Sequence, residues 1–144
     1  MRSMSDKTFV DTNILIYAHD VDAGRKREIA QAHLTALWIS RRGVLSSQVL
    51  QEFYVNVTRK IARPISRKAA REVLKTYAVW HAASVRPEDV LRASELEEHH
   101  RLSFWDALIV VSAKIAGARR ILSEDLNSGQ VIDGVAIENP FLEH

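Results

Sequence analysis

The chain has 144 residues, of which 47% are hydrophobic and 26% are charged, and it contains no cysteine. This balance predicts one globular domain over residues 1–144, and the lack of cysteine excludes disulfides, thiolate metal sites and a thiol nucleophile. With no signal peptide and no membrane-spanning apolar run, a cytoplasmic protein is expected, and residues 1–3 and 142–144 are interpreted as vector and tag residues.

The first predicted strand leads directly into an acidic residue. Asp11 follows the apolar pair Phe9-Val10, and a helix is predicted from Asn13 to about Ala18. Open α/β sheets bind ligands at the carboxyl ends of their strands, so Asp11 is a candidate site residue. Thr12 and Asn13 are expected to bond the nearby backbone, which would cap the helix and orient the carboxylate. Taken alone, an aspartate at such a junction is more often a helix cap than a catalyst.

The rest of the chain alternates between helices and strands. Asp22 is predicted to cap a helix over residues 25–40 that Gly43 terminates. The predicted apolar side of that helix comprises Ile29, Ala32, His33, Ala36, Leu37 and Ser40. Later helices are expected to open at Ser46-Ser47 (ending at Arg63-Pro64), Ser66, Pro87 and Ser103 (ending at Gly117), and later strands to cover residues 44–45, 82–85, 120–123 and 135–137. The alternation predicts a three-layer α/β/α fold around a central, mainly parallel sheet of about five strands.

Two further acids lie on predicted helices. Glu52 borders the apolar face of the helix that begins at Ser46-Ser47, and an amphipathic boundary position explains it equally well. Asp106 lies in a strongly apolar helix, where an unpaired carboxylate would be costly. Its spacing from Ser103 also fits a capping box, and capping is compatible with metal binding because both place a carboxylate near a positive helix N-terminus.

A fourth acid follows a strand, as Asp11 does. Asp125 comes after the strand at residues 120–123, where Ser123 can bond the loop backbone, and spacing alone does not separate Asp125 from its neighbour Glu124. Parallel strands would bring Asp11 and Asp125 to one edge of the sheet, and helices starting at that edge can bring Glu52 alongside, with Asp106. Oxygen ligands without cysteine or organised histidines suit Mg²⁺ or Mn²⁺ better than zinc.

The basic residues suggest a polyanionic partner. The net charge is +2, and setting four clustered acids aside leaves +6 on the remainder of the chain. The densest basic stretch comprises Arg59, Lys60, Arg63, Arg67, Lys68, Arg71 and Lys75. Its four arginines, Arg59, Arg63, Arg67 and Arg71, are the candidate RNA contacts. A solvated helix pair explains this stretch equally well.

Three other groups of residues receive a structural interpretation. For the aromatic residues Trp38, Tyr54, Tyr77 and Trp80, a position in the core or in an interface is favoured over a role in base stacking. Arg25-Lys26-Arg27 is assigned to a solvated first helical turn. His99-His100 are adjacent, which is not the spacing of a metal-binding pair on a helix.

These pieces together resemble the PIN-domain ribonucleases, specifically the VapC toxins of VapBC toxin–antitoxin pairs. The matching segments, which span nearly the whole chain, are residues 9–13, 48–53, 105–109, 122–125 and 139–141. The resemblance implies metal binding by Asp11, Glu52, Asp106 and Asp125, with Thr12, Asn13 and Ser123 in support. The family more often has threonine where Ser123 stands. The resemblance further implies a homodimer and a cognate antitoxin that occupies the acidic groove.

The expected function is a Mg²⁺- or Mn²⁺-dependent endoribonuclease in which metal-activated water hydrolyses an RNA phosphodiester. One alternative is an aspartate-based phosphohydrolase of the haloacid dehalogenase type with Asp11 as nucleophile. That family has a second aspartate at the position that Asn13 occupies. The other alternative is a PIN-like module that binds RNA or protein without catalysis, although such a module has no need to retain a self-repelling group of acids.

Overall fold

The structure is a computed structural model that describes residues 6–82 and 84–142. The residues interpreted as vector (1–3) and most of those interpreted as tag (143–144) lie outside this range. The strands are β1 (Lys7–Val10), β2 (Gly43–Val44), β3 (Ala118–Leu122), β4 (Val131–Ile132) and β5 (Val135–Glu138). The helices are α1 (Thr12–His19), α2 (Arg25–Ser40), α3 (Ser47–Arg59), α4 (Arg67–Tyr77), α5 (Pro87–His100) and α6 (Phe104–Ile115), with a 3₁₀ turn over Ala78–Trp80.

The predicted three-layer α/β/α architecture is confirmed. The sheet has five strands in the order β2-β1-β3-β5-β4. Strand β1 pairs in parallel with β2 and β3, and β3 pairs in parallel with β5. The carboxyl ends of β1 and β3 therefore meet at one edge, with Val10 opposite Leu122. The residues that follow them, Asp11 and Ser123, become neighbours for this reason.

Two strand predictions differ from the structure. The described part of the predicted strand at residues 82–85 is not in a strand; instead His81 forms an isolated parallel bridge with Leu45. The additional strand β4 runs antiparallel to β5. Its hairpin turn, Asp133-Gly134, has positive φ at both residues (51° and 84°). This is the geometry that Asp-Gly favours in two-residue hairpins, so the pair was a readable signal.

The helices follow the predicted capping residues at Ser66 and Ser103 but not at Asp22. Ser66 and Ser103 accept hydrogen bonds from the amides of Ala69 and Asp106 (3.0 and 3.1 Å), as expected for N-caps. The N-cap of α2 is Gly24, so the prediction that Asp22 caps this helix is wrong. The apolar side predicted for α2 is also mostly wrong, because the buried residues are Ala30, Leu34 and Leu37. Helix α3 ends at Arg59, before the Arg63-Pro64 pair that was expected to end it.

Gly43 has a different role from the predicted helix stop. Arg41 takes the left-handed conformation that ends α2 (φ 61°), and Gly43 lies in β2 against the indole ring of Trp80. A Cβ atom added at position 43 would lie 2.6 Å from two ring carbons of Trp80. The glycine is therefore required by the close approach of an aromatic ring to the strand.

The core lies between the sheet and its helices. Its largest fully buried side chains include Phe9, Ile14, Leu15, Phe53 and Ile121. Helix α6 is buried continuously from Ala107 to Ala113, which confirms the prediction of an apolar helix at this position. Within residues 6–82 and 84–142, every helix is too short or too polar to cross a lipid bilayer.

Candidate active site

Asp11 is held firmly at the carboxyl end of β1. Its side chain is 5% exposed, and its two oxygens accept hydrogen bonds from the Thr12 amide (2.7 Å) and the Ser123 hydroxyl (2.7 Å). Asp11 is itself the N-cap of α1. Burial raises the pKa of Asp11 to about 6, against the opposing effect of these two hydrogen bonds, and the charges of Asp125 and Asp106 raise the pKa further. Both roles considered in the sequence, cap and site residue, therefore belong to one carboxylate.

Thr12 connects Asp11 with the second predicted acid. Its amide donates to Asp11, and its hydroxyl donates to Oε1 of Glu52 at 2.9 Å. Glu52 is exposed on α3, and this hydrogen bond turns its carboxylate toward α1. The expectation that Thr12 would bond the backbone through its side chain is therefore wrong, because that side chain binds another acid.

Asn13 performs the same task for the third acid. Its Nδ2 donates to Oδ2 of Asp125 at 3.0 Å, and its Oδ1 accepts from the amide of Glu124 at 3.2 Å. Three consecutive residues thus serve three acids: Asp11 carries the first, Thr12 orients the second and Asn13 orients the third. A helix N-terminus brings them to one place because its first residues point in different directions around the helix axis.

Ser123 fixes the loop after β3 as well as Asp11. This residue is fully buried; its hydroxyl donates to Asp11 and accepts from the amides of Asp125 (3.2 Å) and Leu126 (3.4 Å). The prediction that Ser123 bonds loop backbone is confirmed, and its contact with Asp11 adds a direct link between the two strands. All of the hydroxyl's donor and acceptor capacity is in use.

Asp106 approaches the group from the first turn of α6. Its backbone amide is capped by Ser103 at 3.1 Å. Burial raises the pKa of Asp106, the Ser103 hydroxyl lowers it, and the charge of Asp125 raises it again. The charges of Asp106 and Asp125 act on Asp11, and the charge of Asp125 acts on Asp106, so these three carboxylates lie close together. Glu52 is connected to them through its hydrogen bond from Thr12.

Glu124 is separated from this group by an ion pair. Its carboxylate accepts from the Tyr17 hydroxyl at 2.5 Å and forms a salt bridge with Lys26. Burial raises the pKa of Glu124, but the hydrogen bonds from Lys26 and Tyr17 outweigh burial, so the pKa is lowered. Lys26 was predicted to be merely solvated, and this prediction is wrong. The two neighbours differ in their surroundings, since the exposed carboxylate of Asp125 accepts from Asn13 whereas that of Glu124 is paired with Lys26.

The family of the chain follows from comparison with known proteins. Residues 8–131 match the PIN domain. This chain belongs to the PIN domain family. The match covers β1 through β4 and includes all four acids, so the predicted family resemblance is confirmed at this level. A comparison with curated proteins gave no match.

Solved structures with the same fold include three from toxin–antitoxin systems. A toxin–antitoxin complex from Klebsiella pneumoniae aligns with a TM-score of 0.67 and 20% identity, over 94% of this chain and 98% of that one. VapC20 from Mycobacterium tuberculosis, described as a toxin that cleaves the sarcin–ricin loop, aligns at 0.62 and 21%, over 83% and 92%. VapBC2 from Rickettsia felis, bound to a promoter DNA fragment, aligns at 0.61 and 16%, over 92% and 97%.

The acids of this PIN domain match a hard divalent cation in donor type. All four offer carboxylate oxygens, and two of them have raised pKa values partly because of their negative neighbours, which a cation would relieve. Among the described residues, no three acidic or histidine side chains converge to form a ready-made metal cage. Cation binding would therefore require side-chain rotation, for which the exposed Glu52 and Asp125 have room.

The predicted basic stretch is exposed, and two of its members are paired: Lys75 forms a salt bridge with Glu72 at 3.2 Å, and Arg63 is held more firmly. Arg63 forms a two-point salt bridge with Asp22, with Nε–Oδ2 and NH2–Oδ1 separations of 3.0 and 2.5 Å. This explains why Asp22 does not cap α2. Arg59, Arg67 and Arg71 are exposed on α3 and α4. As RNA contacts these three remain predictions, and the pairing of Arg63 makes it the weakest member of the set.

Three of the four aromatic residues that were assigned to the core or an interface pack together, and a further aromatic residue is exposed to solvent. Trp38, Tyr77 and Trp80 pack together with ring centroids 4.5–5.5 Å apart, as predicted for core residues. Trp105, which the sequence analysis passed over, is 62% exposed immediately before Asp106. A signal was available: a tryptophan in the first turn of an otherwise buried helix, next to a candidate acid. Trp105 therefore presents much of its indole ring to solvent next to a candidate acid.

Proposed function

We propose that this PIN domain is a divalent-metal-dependent endoribonuclease and the toxin of a toxin–antitoxin pair. The observation that carries the proposal is the arrangement of three consecutive residues, Asp11, Thr12 and Asn13. One contributes a carboxylate and the other two orient Glu52 and Asp125 by hydrogen bonds of 2.9 and 3.0 Å. Selection for stability alone would not gather like charges in this way, since they repel one another. Perturbed acids beside an open edge of the sheet are typical of a functional site.

The chemistry assigned to the site is hydrolysis of an RNA phosphodiester. A bound Mg²⁺ or Mn²⁺ would supply positive charge for the phosphate and lower the pKa of a water molecule. Hydrolysis would join the oxygen of that water to phosphorus and break the bond to the 3′ oxygen, which would take up a proton and leave as a hydroxyl. Asp11, Glu52, Asp106 and Asp125 would hold the cation. Ser123 and Asn13 would keep Asp11 and Asp125 oriented during this step, since each binds one of those carboxylates.

The aspartyl-phosphatase alternative has less support. A nucleophilic Asp11 would need a free oxygen aimed at the substrate, whereas both of its oxygens accept hydrogen bonds within the protein. The side chain of Asn13, which would have to be a second catalytic aspartate in such an enzyme, is engaged with Asp125 and Glu124. These contacts suit a metal-holding Asp11 better than a nucleophilic one.

The experiment that tests the nuclease is RNA cleavage with and without metal. The wild-type protein should cut a single-stranded RNA in Mg²⁺ or Mn²⁺ and stop in EDTA. Asp11→Asn should reduce cleavage at least about 10³-fold, which corresponds to about 4 kcal/mol of transition-state stabilisation. Glu124→Gln is the matched control, because it also neutralises an acid near the loop but one that is paired with Lys26. Metal-independent cleavage, or equal loss in both variants, would contradict the proposal.

Silencing of such a nuclease is assigned to an antitoxin. Helices α3 and α4 enclose an apolar groove of about 670 Å³, lined by Leu50, Gln51, Tyr54, Val55, Leu74, Lys75 and Ala78. The groove includes Gln51, the residue before Glu52, so a partner segment lying in it can extend a basic side chain toward the acids. An arginine or lysine there would replace the charge of the metal.

Competition between cation and antitoxin tests this assignment. Excess Mg²⁺ should weaken inhibition more than KCl does at matched ionic strength, because only Mg²⁺ competes for the carboxylates. Replacing the basic residue of the antitoxin should restore cleavage while most of the binding affinity remains. Continued inhibition by that variant would indicate that the antitoxin blocks the path of the RNA instead. The homodimer that the resemblance implies is tested separately by analytical ultracentrifugation of the toxin alone.

A further inference from the structure

A second cavity lies between the N-terminal turns of α3 and α6. It measures about 330 Å³ and is lined by Ser46, Ser47, Gln48, Gln51, Trp105 and Leu108, together with Ser84 and Val85. This volume is at the small end of the range for small-molecule sites. Two of the lining residues immediately precede site residues: Gln51 precedes Glu52, and Trp105 precedes Asp106.

Two polar atoms of this cavity are buried and have no hydrogen-bond partner among the described residues. They are the hydroxyl of Ser46, a residue that is 3% exposed, and Oε1 of Gln48. A buried polar group without a partner destabilises the folded state, so such groups are rare and require an explanation. The neighbouring Ser47 is different, because its hydroxyl lies 3.1 Å from Nε2 of His81.

The behaviour of Ser46 is unusual within this chain. Three helices have a serine at the N-cap, and the serines of α4 and α6 accept hydrogen bonds from backbone amides. Ser46 makes no such side-chain hydrogen bond to a described residue, although its backbone is extended as an N-cap requires. The first amides of α3 therefore lack the usual side-chain cap from a described residue, and the hydroxyl that would supply it is buried in the wall of the cavity.

Trp105 supplies one wall of the same cavity. Its side chain is 62% exposed and packs edge-on against Phe104 with ring centroids 5.3 Å apart, which leaves a broad face in solvent. An exposed indole face is a platform on which any nucleobase can stack, and such stacking strengthens binding about 5- to 150-fold per base. The combination is an aromatic wall with unsatisfied polar atoms at one end.

We propose that this cavity binds an unpaired nucleobase of the RNA substrate, stacked on Trp105 with its polar edge toward Ser46 and Gln48. The proposal rests on the proposed nuclease function and adds a substrate requirement to it: a nucleotide next to the cleaved phosphodiester must be single-stranded. A base held between the residues that precede Glu52 and Asp106 brings its own phosphate to the acids. RNA recognition of this kind, by stacking and edge hydrogen bonds, needs a splayed base.

The direct test uses adenosine 5′-monophosphate as the probe and the indole N–H resonances of the protein as the readout. Three tryptophans give three resonances, and Trp105→Phe identifies the one that belongs to Trp105. Millimolar adenosine 5′-monophosphate should shift this resonance upfield through the ring current of the stacked base. Ribose 5-phosphate, which has the same charge but no base, should not. An unmoved resonance, or an equal shift by both probes, overturns the proposal.

Two variants separate binding from folding. Ser46→Ala should keep or raise the Tm of the wild type, because the buried hydroxyl has no partner among the described residues to lose, yet weaken binding of the probe about 2- to 10-fold. Trp105→Ala should weaken it about tenfold. Ile39→Ala removes another exposed apolar side chain, 79% exposed on α2, and should change nothing. A lowered Tm with unchanged binding for Ser46→Ala would show that the serine is a structural cap.

Cleavage kinetics distinguish this proposal from the nuclease assignment. In a cleaving preparation, Trp105→Ala should raise KM for single-stranded RNA about tenfold with little change in kcat, since the ring acts in binding. If the wild type cleaves no RNA but the probe still shifts Trp105, the nuclease assignment fails and the base-binding cavity stands. If RNA is cleaved in an Asp11-dependent way and Trp105→Ala has normal KM, the cavity proposal fails and the nuclease stands.

Discussion

Asp11 and Glu124 are two carboxylates at the same edge of the sheet with opposite electrostatic surroundings. Asp11 is buried, receives only neutral donors from Thr12 and Ser123, and has its pKa raised to about 6 by burial and by the charges of Asp125 and Asp106. Glu124 is half-buried and, despite the effect of burial, has its pKa lowered by Lys26 and Tyr17. The two lie in adjacent loops. The side chain of Asn13 accepts a hydrogen bond from the amide of Glu124 and donates one to Asp125, whose charge raises the pKa of Asp11.

The difference separates a site residue from a structural one. Glu124 meets a cation within the protein, so its charge already has a partner among the described residues. Asp11 has negative neighbours instead, which raise its pKa, and the proposed cation would relieve this repulsion. Burial raises the pKa of both acids, and both follow strands of the same sheet; the sign of the nearest charges is what sends the two pKa values in opposite directions. Substitutions at Asp11 and Glu124 remove one of these charges, and substitutions at Ser123 and Thr12 remove a hydroxyl that orients a neighbouring carboxylate.

The largest expected effect is the pH dependence of stability in the metal-free protein. The pKa of folded Asp11 lies near 6, above its ordinary value of 3.8, so folding is favoured when this carboxyl is protonated. The contribution is fully present below pH 3.8 and is lost as the pH rises through 6. Its limit is about 3 kcal/mol, of which roughly 1.4 kcal/mol should be gained between about pH 7.5 and pH 5. Urea denaturation in EDTA measures it.

Asp11→Asn provides the reference for that measurement. The variant lacks the titrating group, so the difference in unfolding free energy between wild type and variant should change with pH by the amounts given. His19 acts in the opposite direction, since burial lowers its pKa and stability falls as this histidine becomes protonated. It is present in both proteins and cancels in the difference. A difference that stays constant with pH would mean that Asp11 remains ionised and is compensated by a cation within the protein.

The next prediction concerns Ser123, which links Asp11 to the loop of Asp125. Ser123→Ala should lower cleavage about 10- to 100-fold, as is typical when a group that orients a metal ligand is removed. Ser123→Thr retains the hydroxyl and should restore most of the activity. The alanine variant should also be less stable, because the amides of Asp125 and Leu126 lose their acceptor. If both variants are equally impaired, packing at this fully buried position matters more than the hydroxyl.

Thr12→Val tests the link to Glu52 with a smaller expected effect. Valine retains the backbone amide that donates to Asp11 and removes only the hydroxyl that donates to Glu52 at 2.9 Å. Cleavage should fall about tenfold, and Thr12→Ser should recover it. Activity of Thr12→Val at the wild-type level would show that Glu52 reaches the cation without this orientation.

Much of the site was predictable because it depends on strand order. An acid directly after an apolar strand in an alternating α/β chain is placed at the carboxyl edge of the sheet by topology alone, which locates Asp11 and Asp125. Helix caps are equally local, and Ser66 and Ser103 behave as expected. The Asp-Gly pair at 133–134 carries a local signal of the same quality, although the strand β4 before it was not predicted.

The errors arise where tertiary contacts override local preference. Asp22 has a suitable position for a cap but binds Arg63, which is 41 residues away in sequence. Residues 82–85 have an apolar composition typical of a strand, yet among the described residues the pairing beyond the end of β2 is an isolated bridge between Leu45 and His81. Among the described residues the hydroxyl of Ser46 has no hydrogen-bond partner, and no sequence pattern predicts that a partner will be missing.

The last and smallest effect is expected for Glu124→Gln. Its salt bridge with the half-exposed Lys26 should contribute at most about 1 kcal/mol, so the unfolding free energy near neutral pH should fall by that amount or less. Because the pKa of Glu124 is lowered in the folded state, this contribution is present above its ordinary value of 4.5 and is lost as the pH falls through the folded pKa. Cleavage should remain within about threefold of the wild type, since the carboxylate faces Lys26 and Tyr17 while the acids of the site face Thr12, Asn13 and Ser123.

Lys26→Met should reproduce the same small loss of stability, and the double variant should lose little more. A large loss of cleavage in Glu124→Gln, with Lys26→Met still active, would place Glu124 among the metal-binding acids and remove the contrast with Asp11.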